Sequence, residues 1–387
     1  MHRLFDLVVL GTVAFAQWRI ARAILRAGRE RYSHRVMRWL QIFVAVFLVY
    51  VVAGALLSVL GLVSLVGIGA RPATFIGGAA CVWLLGSTAA WVLGYALQLA
   101  KPQPFDPARR RLVNAAGGAL IASPFVVAGY GALVQRTDFR IREVEIPLRD
   151  LPDDLNGLRI LQLSDIHLSD FLSESELARV IDLSNETNPH LALVTGDLIT
   201  GRGDPLDACL RQLARLRSEA GILGCLGNHE IYARAERYAT EQGARAGIRF
   251  LRMRAQALEF GNAVVNCAGV DYQPISRRKR YLEGAEGLLL PGAFNVLLSH
   301  NPDVFPVAAA KGFDLTVAGH THGGQVTMEI LEQSINPARF FTPYVYGRYQ
   351  LGKACAYVTR GIGTIGIPAR IGAPPEVTLL RLRKASA

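Results

Sequence analysis

At 387 residues the chain has room for two or three ordinary domains, yet its charge is unevenly spread. Residues 1–138 carry 14 Lys/Arg against 4 Asp/Glu, a net of +10, whereas residues 139–387 carry 28 against 27, a net of +1. The basic surplus lies outside the larger, near-neutral part, so no nucleic-acid partner is expected, and the five cysteines include no CxxC pair that would signal a thiolate zinc site.

In chain order, residues 1–137 read first, as a multi-pass helical membrane region. Segments 39–66, 75–99 and 112–134 fall in apolar runs, each longer than the roughly 20 residues a helix needs to cross a bilayer core. A shorter segment, 4–18, carries Asp6 and is taken as a fourth crossing. Its Ala14-Phe15-Ala16 also resembles a signal-peptide cleavage site, but cleavage there would force an arginine-rich loop across the membrane. That loop, 19–38, holds seven Arg, and 101–111 holds Lys101, Arg109, Arg110 and Arg111, against Arg71 alone between them. Cytoplasmic loops collect Lys and Arg, so both are expected inside and everything after the last crossing outside. A lipid bilayer is the partner this implies, and a cell membrane the location.

Residues 138–387 read as one α/β domain. Strand-like apolar runs occur at 139–146, 158–163, 191–195, 222–226, 263–270, 295–298, 315–318, 325–330, 354–359 and 377–382. Helical patterns at 174–186, 206–217 and 232–242 separate the early ones, and Ser173 followed by Glu176 predicts a capping box at the first helix. The later strands lack such helices and are expected to pair antiparallel. Cys225 and Cys267 fall in strand-like runs and read as buried free thiols.

Five short motifs follow strand-like runs. Asp165-Ile166-His167 comes after 158–163, and in extended chain its carboxylate and imidazole face the same way and can grip one ion. Gly196-Asp197 follows 191–195, Gly227-Asn228-His229-Glu230 follows 222–226, His300 follows 295–298, and Gly319-His320-Thr321-His322 follows 315–318. Glycine allows a sharp turn, so the next side chains can point into the crevice beyond the strand ends. A lone histidine is usually structural, but five of the six histidines in 139–387 occupy these positions. Only His190 is left over, and it reads as structural.

Together these motifs resemble the five ordered motifs of the calcineurin-like metallophosphoesterase superfamily, over roughly residues 157–380. The Gly323-Gly324-Gln325 that follows is similar to its bacterial membrane-associated subgroup. Glu230 stands where Asp is commoner and Thr200 where many members have Asp. The resemblance implies a four-layer α/β/β/α sandwich with two divalent metal ions at the strand ends. It assigns Asp165, His167 and His322 to one, Asn228, His300 and His320 to the other, and Asp197 to a bridge. This ligand mixture fits Mn, Fe or Zn. Two divalent cations against two carboxylates leave about +2, which favours a phosphate-ester substrate, and the pair can supply a hydroxide near neutral pH for in-line displacement. His229, not needed as a ligand, is the expected catalytic proton donor to the leaving group, with Glu230 a candidate to orient it.

Weaker features are the basic run Arg277-Arg278-Lys279-Arg280, a solvated loop or a contact to an anionic lipid headgroup or the substrate, and Arg360 and Arg370, just before and within a Gly-rich stretch, 361–372, that could approach the metals. The expected activity is hydrolysis of a phosphomonoester or phosphodiester, with an envelope- or lipid-linked substrate. Two rivals stand beside it: a nucleotide-sugar lipid pyrophosphatase, and a catalytically inactive membrane scaffold or receptor.

Overall fold

The computed structural model describes residues 2–59, 70–99, 107–325, 327–330 and 333–385. They form two compact units, Met1–Val134 with Gly366–Ala369, and Gln135–Ile365 with Arg370–Ala387.

The first unit contains α1 (His2–Arg29), α2 (His34–Val59), α3 (Ala70–Leu99) and α4 (Pro107–Leu133). α3 touches all three others through aromatic pairs: Phe15 with Trp91 at 5.5 Å, Phe47 with Trp83 at 5.0 Å and Trp83 with Phe125 at 5.6 Å between ring centroids. A buried hydrogen bond from Gln17 Nε2 to Ser87 Oγ, 2.7 Å, adds a polar tie between α1 and α3. Three stretches, His34–Gly54, Gly78–Ala96 and Ala115–Thr137, are long and apolar enough to cross a membrane. Their outward side chains are apolar too, with Val49 68% and Val126 69% exposed, a surface that suits lipid.

α1 is not among those three. The expected loop beginning at residue 19 is not a loop either, because Arg19, Arg22, Arg26 and Arg29 continue α1. The segment is rich in Ala, Leu and Arg, all good helix formers, and no proline interrupts it. The same arginines keep its second half from being apolar. Likewise Arg109, Arg110 and Arg111 lie inside α4, which starts on Pro107, a residue suited to a first helical position. Residues 60–66 of the expected second crossing and 101–106 of the second basic loop lie outside the described residues.

The second unit begins with β1 (Arg140–Leu148), then β2 (Arg159–Leu163), α5 (Glu174–Glu186), β3 (Leu191–Thr195), α6 (Leu206–Leu213), β4 (Ile222–Cys225), α7 (Asn228–Ala233), α8 (Glu236–Arg245) and β5 (Ile248–Phe250). It continues through β6 (Arg254–Phe260), β7 (Ala263–Gly269), β8 (Phe294–Leu298), α9 (Phe305–Lys311), β9 (Leu315–Ala318), β10 (Met328–Ile330), β11 (Gln333–Ile335), β12 (Gly347–Leu351), β13 (Ala354–Val358) and β14 (Glu376–Lys384). One sheet runs β1-β14-β2-β3-β4-β5, the other β12-β13-β9-β8-β7-β6, and β10 and β11 form a separate hairpin. β2 to β5 are parallel, as strands joined by helices must be. The capping box at α5 is present, with Ser173 N donating to Glu176 Oε2 (2.7 Å) and Glu176 N to Ser173 Oγ (3.3 Å).

The expectation of antiparallel later strands holds for β10 against β11 and for β14 against β2, and is corrected in the second sheet. β7, β8, β9 and β13 are parallel, and only the edge strands β6 and β12 run against them. The crossovers exist but are short: 3₁₀ turns at Ile275–Arg280 and Ala285–Leu288 between β7 and β8, and α9 between β8 and β9. Such pieces carry too few turns for a helical period to register. The expected strand at 325–330 shrinks to β10.

Between the sheets lies a core that includes Ile160, Leu191 and Leu193 from one side and Val265, Val296 and Val317 from the other. α5, α6 and α8 cover the outer face of the first sheet, with Val180, Leu213 and Ala239 in that layer. The connections after β7 and β8, with Leu282, Val304 and Ala308, cover the second. This is the four-layer α/β/β/α sandwich. Each fully buried Leu, Val or Ile contributes about 1.5–3 kcal/mol.

Candidate metal centre

The five motifs converge where the carboxyl ends of β2, β3 and β4 in one sheet meet those of β8 and β9 in the other. Three interlocking groups result, each with ligand atoms within 4.8 Å of one another: Asp165, His167 and His322; His167, Asp197 and His229; Asp197, His300 and His320. His167 and Asp197 each belong to two groups. His300 Nε2 lies 2.9 Å and His167 Nε2 3.5 Å from Asp197 Oδ2, while His322 Nε2 lies 3.3 Å from Asp165 Oδ1. All but His229 and His320 are buried.

Glycines allow the loops to approach this closely. A Cβ on Gly227 would run into Asp197 Oδ1, and one on Gly319 into Asp165 Oδ2 and Ser164 Oγ. The Gly-rich stretch after β13 also reaches the site by its backbone: a Cβ on Gly361 would meet Asp165 Cβ at 2.5 Å, and one on Gly363 His167 Cβ at 2.9 Å.

Backbone partners aim the imidazoles. His300 Nδ1 donates to Thr195 O at 2.7 Å and His229 Nδ1 to Thr200 O at 2.5 Å, which leaves each Nε2 for the centre. Thr200 Oγ1 sits 3.3 Å from His167 Nδ1. The carboxylate of Asp165 accepts His320 N at 2.9 and 3.1 Å, and Asp197 Oδ1 accepts His229 N at 3.0 Å.

Burial drives His167 and His320 down to about 3 and His322 well below its usual value, so all three imidazoles are neutral. Burial pushes His300 the same way, but the carboxylates of Asp197 and Asp165 outweigh it and lift His300 to about 10. Burial raises Asp165 to about 6. For Asp197 burial also acts upward, yet His300 beside it wins and holds the carboxyl well below its ordinary range.

These residues fit a metal. Asn228 Oδ1, on the first residue of α7, is buried with no hydrogen-bond partner, and so are His322 Nδ1 and His300 Nε2. His300 Nε2 is close to Asp197 Oδ2 without hydrogen-bond geometry. A buried oxygen left unpaired, as Asn228 Oδ1 is, is costly unless a cation lies against it, and His300, protonated without metal, would give up its Nε2 proton to join it.

Glu230 does not orient His229. It is fully buried, and its carboxylate accepts Asp197 N (3.0 Å), Leu198 N (2.7 Å) and Gly227 N (2.8 Å), lacing the loop after β3 to the loop after β4. Arg370 is likewise a brace. Its buried guanidinium donates to the carbonyls of Gly363 (2.6 and 3.0 Å), Ala373 (3.0 Å) and Arg360 (3.0 Å). Arg360 lies over the Tyr346 ring at 4.1 Å. His190 is structural, its Nδ1 accepting Arg159 N at 2.9 Å, and Cys209, Cys225, Cys267 and Cys355 are buried free thiols. Sequence reasoning missed Tyr272, whose hydroxyl lies 3.4 Å from His320 Nε2 and whose ring lies 6.0 Å from His300, because it belongs to no motif.

Residues 158–324 match the family model described as calcineurin-like phosphoesterase. Among curated proteins, the chain is 32% identical over 275 residues to a transmembrane protein with metallophosphoesterase domain from Danio rerio, covering 67% of this chain and 61% of that one. The chain thus spans about three-fifths of that relative's length. It is 29% identical to the metallophosphoesterase YkuE of Bacillus subtilis (strain 168), covering 72% of this chain and 99% of the relative. To the phosphodiesterase YaeI of Escherichia coli (strain K12) it is 28% identical, covering 71% and 99%. With the motif residues gathered at the strand ends of a two-sheet sandwich, the chain belongs to the calcineurin-like metallophosphoesterases, together with bacterial and membrane-named members of that superfamily.

Proposed function

We propose that the chain hydrolyses a phosphomonoester or phosphodiester using two divalent cations. Asp165, His167 and His322 would hold one cation, Asn228, His300 and His320 the other, with Asp197 shared between them. The substrate is envelope- or lipid-linked and the catalytic domain faces the outside of a cell membrane. The observation that carries this reading is the interlocking of the three His/Asp groups through Asp197 and His167, which suits a pair of ions rather than one. When bound, such cations act as Lewis acids and bring the pKa of water toward about 7.

The chain's own residues then divide the remaining work. Neutral His167, His320 and His322 offer lone pairs without first losing a proton. Asp165 and Asp197 supply the two negative charges. His229 is half-buried at the rim, its Nδ1 fixed by Thr200 O and its Nε2 free to place a proton on the departing oxygen. His229 also stands within ligand reach of His167 and Asp197, so its role is the point to test.

The test is hydrolysis of bis(p-nitrophenyl) phosphate and p-nitrophenyl phosphate by the full chain in detergent with Mn²⁺, beside Asn228→Ala and His229→Ala. Asn228→Ala is expected to lose both metal and turnover. His229→Ala should keep its metal content and lose roughly 10²-fold or more in kcat. Loss of metal from His229→Ala would make it a ligand, and full activity in both variants would overturn the assignment.

A further inference from the structure

Beside the centre lies a cleft of about 510 Å³, lined in part by Tyr272, Gln273, Arg277, Arg280, Asp271 and Glu283. Tyr272 joins the two, since it lines the cleft and its hydroxyl reaches His320. The loop bearing the arginines is anchored at both ends. Arg277 N donates to Pro274 O (2.8 Å), Leu282 N to Gln273 Oε1 (2.7 Å) and Asn301 Nδ2 to Gln273 O (2.6 Å), and Tyr281 and Leu282 are buried beneath it.

The charges around the cleft do not cancel. Asp271 is taken by Arg252, with bonds of 2.7 and 3.0 Å, and Glu283 by Arg280 at 2.7 Å. Arg277 has no ion pair among the described residues and lines the cleft, with Arg278 and Lys279 adding further positive charge beside it. An exposed guanidinium without a carboxylate, on a loop whose backbone is tied down and next to a site for a phosphoryl group, suits an anion that accepts two parallel N–H bonds.

We propose that this cleft is a second-anion subsite: one arm of the substrate carries a further phosphate or carboxylate, gripped by Arg277, while Tyr272 seats the stretch between that group and the scissile phosphate. This rests on the phosphoesterase reading and names the class of substrate that site takes, an ester with two anionic groups rather than one. The second anion belongs equally to a lipid headgroup or to a soluble ester.

The test uses the full chain in detergent with Mn²⁺ and two chromogenic diesters with the same leaving group, the p-nitrophenyl ester of thymidine 5′-phosphate and its 3′-phosphorylated counterpart. The wild-type protein is expected to prefer the 3′-phosphorylated ester by about tenfold or more in kcat/KM, the scale of one charge-assisted contact. Arg277→Ala should bring that ratio toward one, Arg277→Lys should leave it intermediate, and Glu283→Gln, which releases Arg280, should raise it. Calorimetric titration gives a readout apart from turnover: thymidine 3′,5′-bisphosphate should bind about tenfold tighter than thymidine 5′-phosphate, with the gap closing in Arg277→Ala. A larger ratio for phosphatidylglycerol phosphate over phosphatidylglycerol in mixed micelles would name a lipid source, and a larger ratio for the nucleotide pair a soluble one, either keeping the subsite. A wild-type ratio near one, or a ratio that survives Arg277→Ala, overturns the subsite alone. No nitrophenol from either ester overturns the phosphoesterase reading and the subsite with it.

Discussion

Asp165, His167, Asp197, His320 and His322 all hold left-handed backbone, with φ of 49°, 47°, 54°, 75° and 53°. For residues with a Cβ this conformation costs about 1–3 kcal/mol each, and it persists only where the surroundings over-determine it. Here it turns consecutive strand ends toward one point, and the strain is concentrated where chemistry needs it. The residue types were legible in the sequence because Asp and His at strand ends are unusual company for apolar runs. Their charge states were not, because these depend on neighbours distant in the chain. His300 is the clearest case. Without metal its imidazole keeps a proton up to about pH 10 under the pull of Asp197 and Asp165, so a cation taking Nε2 must displace that proton. More protons are bound in the metal-free state, so raising the pH must tighten binding. The His300 proton alone gives a slope of about tenfold in affinity per pH unit from about 6 to 10, steeper below about 6, where Asp165 also holds a proton, and steeper above about 7, where water on the cations ionises. His167 and His320, down at about 3, add nothing in that range. Titration calorimetry with Mn²⁺ at pH 8 in two buffers of different ionisation enthalpy should count about two protons released, one from His300 and up to one from water on the cations. A pH-independent affinity would remove His300 from the ligand set.

At the level of elements, the site depends on two loops from adjacent parallel strands being held in step, and α7 does this through Glu230. Its two oxygens accept three backbone N–H groups, from Asp197, Leu198 and Gly227. Glu230→Gln must place an amide NH₂ against at least one of those donors, in either orientation. Burial raises the pKa of Glu230, so the neutral amide recovers part of the desolvation cost, but a buried mismatch of this kind still costs about 1–3 kcal/mol. The variant should unfold at lower temperature in thermal denaturation and retain less than its full metal content. Unchanged melting with full occupancy would show the lacing to be dispensable. The sequence offered Glu230 as a candidate to orient His229 because it could not reveal two of its three partners, which lie more than 30 residues away. The same limit governed the strands. β3 and β9 were readable to the residue because both are unbroken apolar runs. β6 escaped notice because its exposed edge carries Arg254, Gln256 and Glu259 among its apolar positions. Parallel pairing of β7, β8 and β9 was hidden because their crossovers are short turns with no period to detect.

For the whole molecule, the distribution of charge makes a claim about sidedness. Three apolar helices precede the catalytic sandwich, and the arginines of α1 and of the start of α4 flank them. That these arginines continue helices rather than form loops does not weaken the argument, because the positive-inside bias counts charges near a crossing, whatever their local structure. Arg19 to Arg38 lie before or at the start of the first apolar stretch and Arg109 to Arg111 just before the third, with Arg71 between the two groups. Holding both groups in the cytoplasm requires the chain to cross once before α3, return with α3, and leave again with α4. A reporter fused after Val134 should therefore emerge outside. Alkaline phosphatase at that position should be active and green fluorescent protein dark, with the reverse for fusions after Arg31. Fluorescence after Val134 would put the sandwich in the cytoplasm and remove the outward-facing substrate from the proposal. It would also restore a nucleotide-linked lipid as the leading ester, because activated nucleotide precursors are found on that side of the membrane.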